Sequence, residues 1–187
     1  AGGMAAPVLL LAGLALTPAA TTALLLNLES VFTAGLAVMF FGERLPGRAV
    51  LGIGAVAAGG AVLSWEPGAP LGLSLGAAAV AAACLAWGVD NNLTRRISGG
   101  DAIEITALKG AAAGTANTII ALSLGAEWPG AATAALGGAI GFVSYGVSLA
   151  MFVVALRHVG AARTGACFAS APFAGALLSI FALGEAV

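Results

Sequence analysis

Few side chains in this sequence could do chemistry, and most of them lie inside apolar runs. Glu29 stands near the middle of one such run, LLLNLESVFTAGLAVMFFGE, residues 24–43. Asp90, Asn91 and Asn92 follow Trp87-Gly88 in a second run, and Lys109 and Asn117 lie in a third. Ionisable groups are costly in apolar surroundings and default to functional candidates. A carboxyl placed like Glu29 is a candidate for binding a cation or for taking up and releasing a proton. The competing reading is a structural acid hydrogen-bonded to a neighbouring helix. For Asp90 and Lys109 the plain reading is a salt bridge, since unpaired charges are rare in lipid. The sharper reading puts Asp90 and Asn91 at a substrate, with Lys109 tuning them. Lys109 could also snorkel to an interface. Pro172 removes a backbone hydrogen bond in mid-run, and the freed carbonyls can line a cavity or form a hinge.

Other chemistries are poorly served. No nucleophile–base pair, phosphate loop or metal-ligand cluster is written into the sequence. The single histidine, His158, lies beside Arg157 in a polar connection. Cys84 and Cys167 lie in separate apolar runs and read as small packing residues. An enzyme, a bound cofactor and a metal centre are therefore not expected. The net charge of −1 offers no basic surface for nucleic acid.

The elements that must position these residues follow from composition. Sixty per cent of the residues are hydrophobic and 8% are charged, against about a quarter charged in a soluble domain. The 28 glycines fit helices that approach closely in lipid. The runs do not alternate polar and apolar residues as a membrane β-barrel would. An all-α integral membrane protein is the expectation, a helical bundle with about seven transmembrane helices over residues 4–16, 20–41, 49–64, 71–93, 103–124, 131–156 and 162–183. Glu29 would then lie about nine residues from the outer end of its span, roughly 14 Å deep.

The short connections set an orientation. Arg44, Arg48, Arg95, Arg96, Arg157 and Arg163 all fall in the second, fourth and sixth connections. The positive-inside rule assigns that side to the cytoplasm. Trp65 and Trp128 fall on the opposite side, as aromatic belt residues.

The run around Glu29 returns near the C-terminus. A constant shift lays Thr22 on Thr164, Leu36 on Leu178, Gly42 on Gly184 and Glu43 on Glu185. The copies are five spans apart, an odd number, so they would cross the membrane in opposite directions. That is an inverted-topology repeat of five-helix units. Two complete units would hold ten helices, so the chain is expected to be a fragment. The Gly-Glu pairs read as helix termination and packing. Glu29 is matched by Ala171 beside Pro172, so shared packing of the repeat does not account for the acid.

TPAATTALLLNLESVFTAGLAVMFFGERLPGRAVLGIGAVAAGGAVLSW, LAWGVDNNLTRRIS and LRHVGAARTGACFASAPFAGALLSIFALGE resemble the EamA-like branch of the drug/metabolite transporter superfamily. The resemblance implies ten helices in two inverted five-helix repeats, of which this chain would hold helices three to nine. Residues 1–66 would be the last three helices of the first repeat, and residues 67–187 the first four of the second. It further implies a secondary transporter, an exporter of a small metabolite, amino acid or drug, in a bacterial inner membrane. Proton coupling through Glu29 would fit. Its partners would be a small-molecule substrate and the lipid bilayer. A non-transporting membrane subunit or scaffold, and a facilitative channel, remain as alternatives.

Overall fold

The computed structural model describes residues 2–17, 19–64 and 74–168, and its regular elements are all helical. In chain order they are α1 (Ala5–Leu14), α2 (Ala19–Leu25), α3 (Leu28–Phe41), α4 (Gly47–Ser64), α5 (Leu75–Ile97), α6 (Ala102–Ser123), α7 (Ala131–Gly141), a π-helical turn (Phe142–Val147), α8 (Ser148–Val159) and α9 (Ala161–Phe168). Trp65, Ala171, Pro172 and the Gly184-Glu185 pair lie outside the described residues. Each apolar segment marked from the sequence contains helix in its described part. Thr21–Phe41, Ala102–Ser123 and Ala131–Val159 are long and apolar enough to cross a bilayer by length and composition, and Ala5–Leu14 and Gly47–Gly59 are shorter apolar helices. α5 is 23 residues long, but Asp90, Asn91 and Asn92 dilute its apolar character.

The segment over residues 20–41 is not one continuous helix. It breaks at Leu26-Asn27, between α2 and α3. Through the break the backbone shortens to i−3 bonds: Asn27 N–H to Leu24 O (3.2 Å), Glu29 N–H to Leu26 O (3.0 Å) and Ser30 N–H to Asn27 O (3.1 Å). Side chains reinforce the change. Asn27 Nδ2 donates to Leu24 O at 3.2 Å, and Ser30 Oγ to Asn27 O at 2.7 Å. Asn and Ser bond local backbone in this way and so compete with the regular ladder. The Cys84 thiol faces the carbonyl of Leu25 at 3.6 Å, a weak sulfur contact at the same break.

The chain divides into two compact units. The first takes in α1 to α4, α5 as far as Asn92, and α9; the second runs from Leu93 to Gly160. In the first unit a core of Leu25, Ala77, Val80 and Cys84 is packed by Leu10, Leu26, Leu28 and Phe32. These residues draw α1, α2, α3 and α5 together. α5 meets α3 most closely at Gly88, where an added Cβ would lie 3.0 Å from both Phe32 Cβ and the Thr33 backbone nitrogen. Only glycine admits that approach, and close helix packing in lipid depends on such positions.

α3 ends on Gly42, whose φ of 65° is left-handed. The Glu43 N–H closes the turn on Ala37 O at 3.0 Å, so the Gly-Glu pair is a helix stop of the Schellman kind. The Glu43 side chain reaches further. Its two carboxylate oxygens accept the N–H groups of Ala161 and Ala162, the first two residues of α9, at 2.9 and 3.0 Å.

In the second unit α6 packs on α8. Asp101 caps α6, accepting the N–H groups of Ile103 (2.7 Å) and Glu104 (3.2 Å). The Arg157 guanidinium donates to the carbonyls of Ser98 and Gly100 and so ties the end of α8 to the turn before α6. Neither α6 nor α7 has a buried residue. Ile103, Leu108, Ile119, Leu136, Ile140, Phe142 and Val143 are all exposed. Exposed apolar side chains along both helices suit a lipid surround.

Candidate functional site

The polar residues of the first unit gather where α5 crosses the start of α3. Glu29 lies in the first turn of α3, directly after the break. Asn91 Nδ2 donates to Glu29 Oε1 at 2.9 Å and to Thr33 Oγ1 at 3.1 Å. One amide therefore uses both of its hydrogens to join two side chains of α3. Asn92 is buried, and its Nδ2 donates to Thr33 O (2.9 Å) and Gly88 O (2.8 Å). Its Oδ1 is buried with no hydrogen-bond partner among the described residues.

Three consecutive polar residues of α5 thus take three different directions, as the 100° step of a helix requires. Asn91 meets the side chains of α3, and Asn92 pins its backbone. Asp90 Oδ1 accepts the N–H of Gly2 at 3.3 Å. Acceptors are at hand in the Glu29 carboxylate and in Asp90 beside Asn91 on α5. The cluster suits a proton, a cation or a donor-bearing ligand.

Of the residues singled out from the sequence, Glu29 and Asn91 are brought into contact, and Asp90 is their neighbour on α5. Lys109 and Asn117 belong to the second unit. There Lys109 Nζ donates to Thr94 Oγ1 at 2.6 Å, and Asn117 is half-buried on α6. Pro172 lies outside the described residues. Two participants escaped the sequence reading. Thr33 was legible in principle, four residues after Glu29 and so on the same helical face. Glu43 was read for its place at a helix end, whereas its carboxylate reaches a helix more than a hundred residues away.

Cys84 is buried and Cys167 exposed.

Comparison with known proteins shows what the sequence is similar to. A model of the EamA-like transporter family matches residues 1–65, the stretch that carries Glu29, Thr33 and Glu43. Over 188 residues the chain is 32% identical to a protein of Methanothermobacter thermautotrophicus described as an uncharacterized transporter, covering 96% of this chain and 54% of that protein. The chain therefore spans about half the length of the curated relative it matches. No solved structure matches it. Its apolar helices, its exposed apolar side chains and these two matches support a membrane protein of the EamA-like transporter family.

Proposed function

We propose that this chain forms part of a secondary transporter that exports a small metabolite, amino acid or drug by alternating access. Glu29 is the carboxylate that binds a proton or the substrate's cationic group. The observation that carries the reading is the Glu29–Asn91–Thr33 cluster set at a break in an apolar, membrane-long helix. Transporters build binding sites from discontinuous helices, where half-helix ends present charge and unwound backbone to a ligand. The sequence repeat supports two inverted halves around that site. The basic connections support a cytoplasmic face carrying Arg44, Arg48, Arg95, Arg96, Arg157 and Arg163, in a bacterial inner membrane. Asp90 is the second acceptor beside the site. Lys109 and Asn117 remain candidates for binding substrate, and Pro172 for a helix kink.

The test uses the full-length protein in proteoliposomes with an imposed proton gradient, measuring efflux of labelled amino acids and a cationic dye. Glu29→Gln keeps the shape and one acceptor but cannot release a proton. Gradient-driven efflux is expected to fall at least tenfold and to lose its pH dependence. Unchanged rate and pH profile in this variant would remove Glu29 from the mechanism. Wild-type protein that equilibrates substrate but never concentrates it would instead indicate a facilitative channel.

A further inference from the structure

We propose that Glu43 is a latch between α3 and α9 that closes one end of the transport path and must release for that end to open. The inference rests on the alternating-access reading above. It starts from an asymmetry in how α9 is capped. The first N–H groups of a helix have no partner within it, and a side chain at the preceding position usually supplies one. Before α9 that position is Gly160, with φ of 89° and no side chain. The N–H groups of Ala161 and Ala162 are taken instead by the Glu43 carboxylate at 2.9 and 3.0 Å. Two charge-assisted bonds at a helix N-terminus make a firm contact. It forms only while the end of α3 stands against the start of α9.

Three features suit the contact to repeated opening. Its anchor is stiff, because the left-handed Gly42 and the bond from Glu43 N–H to Ala37 O fix the root of the side chain. The helices it joins meet through small residues. Ser30, Thr33, Ala34 and Ala37 are the buried positions of α3, and Ala161, Ala162, Thr164 and Gly165 those of α9. Such a surface has no large side chain to unthread when it parts. The contact also lies at the ends of polar connections, where water can replace the lost bonds.

Thr33 links the latch to the site. Asn91 holds its hydroxyl, while a Cβ placed at Gly165 would lie 3.4 Å from the Thr33 Cβ. A ligand that repositions Asn91 therefore acts on the residue against which α9 packs. In the repeat, α3 belongs to the first copy and α9 to the second, so the latch joins the halves that alternating access must move.

The Thr33–Gly165 approach supplies the probe, since Cβ atoms about 3.5–4.5 Å apart suit a disulfide. The full-length protein carrying Thr33→Cys and Gly165→Cys, with Cys84→Ala and Cys167→Ala, is oxidised mildly in proteoliposomes. Disulfide formation is followed by protection from maleimide–polyethylene glycol. The expected initial rate falls at least fivefold when Glu43→Ala is added. With Glu43→Gln, which keeps the shape but offers one acceptor oxygen in place of two, the fall is smaller. Equal rates in all three proteins overturn the latch, whatever the transport result. Asp101→Ala removes the cap of α6 in the other unit and is expected to leave the rate unchanged; a comparable fall there would mark general loosening and also overturn it.

The second arm measures transport with Thr33 and Gly165 native, comparing Glu43→Ala with wild type. A latch predicts that the variant loses at least fivefold in concentrative transport. Full concentrative transport by Glu43→Ala would make the contact dispensable, overturning the proposal. A wild-type protein that moves no substrate, yet shows the Glu43-dependent change in rate, would instead refute the transporter reading and leave the contact's opening intact.

Discussion

Asn91 is the residue on which the cluster turns, because its one amide satisfies both Glu29 and Thr33. Asn91→Leu conserves volume but leaves a part-buried carboxylate without its donor. An abandoned polar group of this kind costs about 1–3 kcal/mol, more where it is charged. The variant is expected to melt several degrees lower in detergent, while Asn91→Gln, with the same chemistry on a longer arm, loses less. Equal melting temperatures for Asn91→Leu and wild type would show that the bond is not held in solution. Glu29 and Asn91 were legible from the sequence because polar residues inside apolar runs announce themselves. Their pairing was not, since the sequence does not say which neighbour of Asp90 turns towards α3. Helix geometry gives the 100° steps but not the zero of rotation, and Gly88 sets that zero by letting α5 settle on the Phe32–Thr33 backbone.

Helices carry the next level of information, and here the sequence is a better guide to existence than to continuity. The apolar run around Glu29 predicted one span, and Thr21–Phe41 is long and apolar enough to be one, but a turn at Leu26-Asn27 interrupts its helix. Asn27 and Ser30 were the available signals: both belong to residue types that bond local backbone. The π-helical turn at Phe142–Val147 left less trace, because nothing in FVSYGV demands a wider turn. Such turns are frequent at functional sites, and this one divides a helix of 29 residues. Helix caps were more readable. Asp101 stands where an N-cap belongs and acts as one. Asp101→Ala is expected to lower stability by about 1 kcal/mol, read as a reduced melting temperature, and Asp101→Asn to recover most of it. No loss on Asp101→Ala would show that water serves the start of α6 equally well.

Across the whole chain, the distribution of charge carries an expectation of sidedness. Alternating spans would place the second and sixth connections on one side of the membrane, and the Glu43–Ala161 contact joins the ends of those two connections. Which side that is can be tested by labelling. Single cysteines at Arg48, Arg96 and Arg163 are expected to react with an impermeant maleimide only from the cytoplasm, and one at Trp128 only from outside. Labelling of Arg48→Cys and Arg163→Cys from opposite sides would break the alternation on which the inverted repeat depends.

The helix from Ala131 to Val159, 29 residues, spans about 43 Å at 1.5 Å per residue. The hydrocarbon layer it must cross is about 30 Å thick. Some of the excess belongs to Arg157 and His158 at its end, but the apolar remainder still exceeds the layer. A helix of that length tilts, bends or thickens the lipid around it, at a cost that grows with each ångström of mismatch. The acyl chain length of the surrounding membrane thereby becomes a variable of this protein's energetics. A bilayer of longer chains would relieve the helix, and a thin one would press it further from the membrane normal.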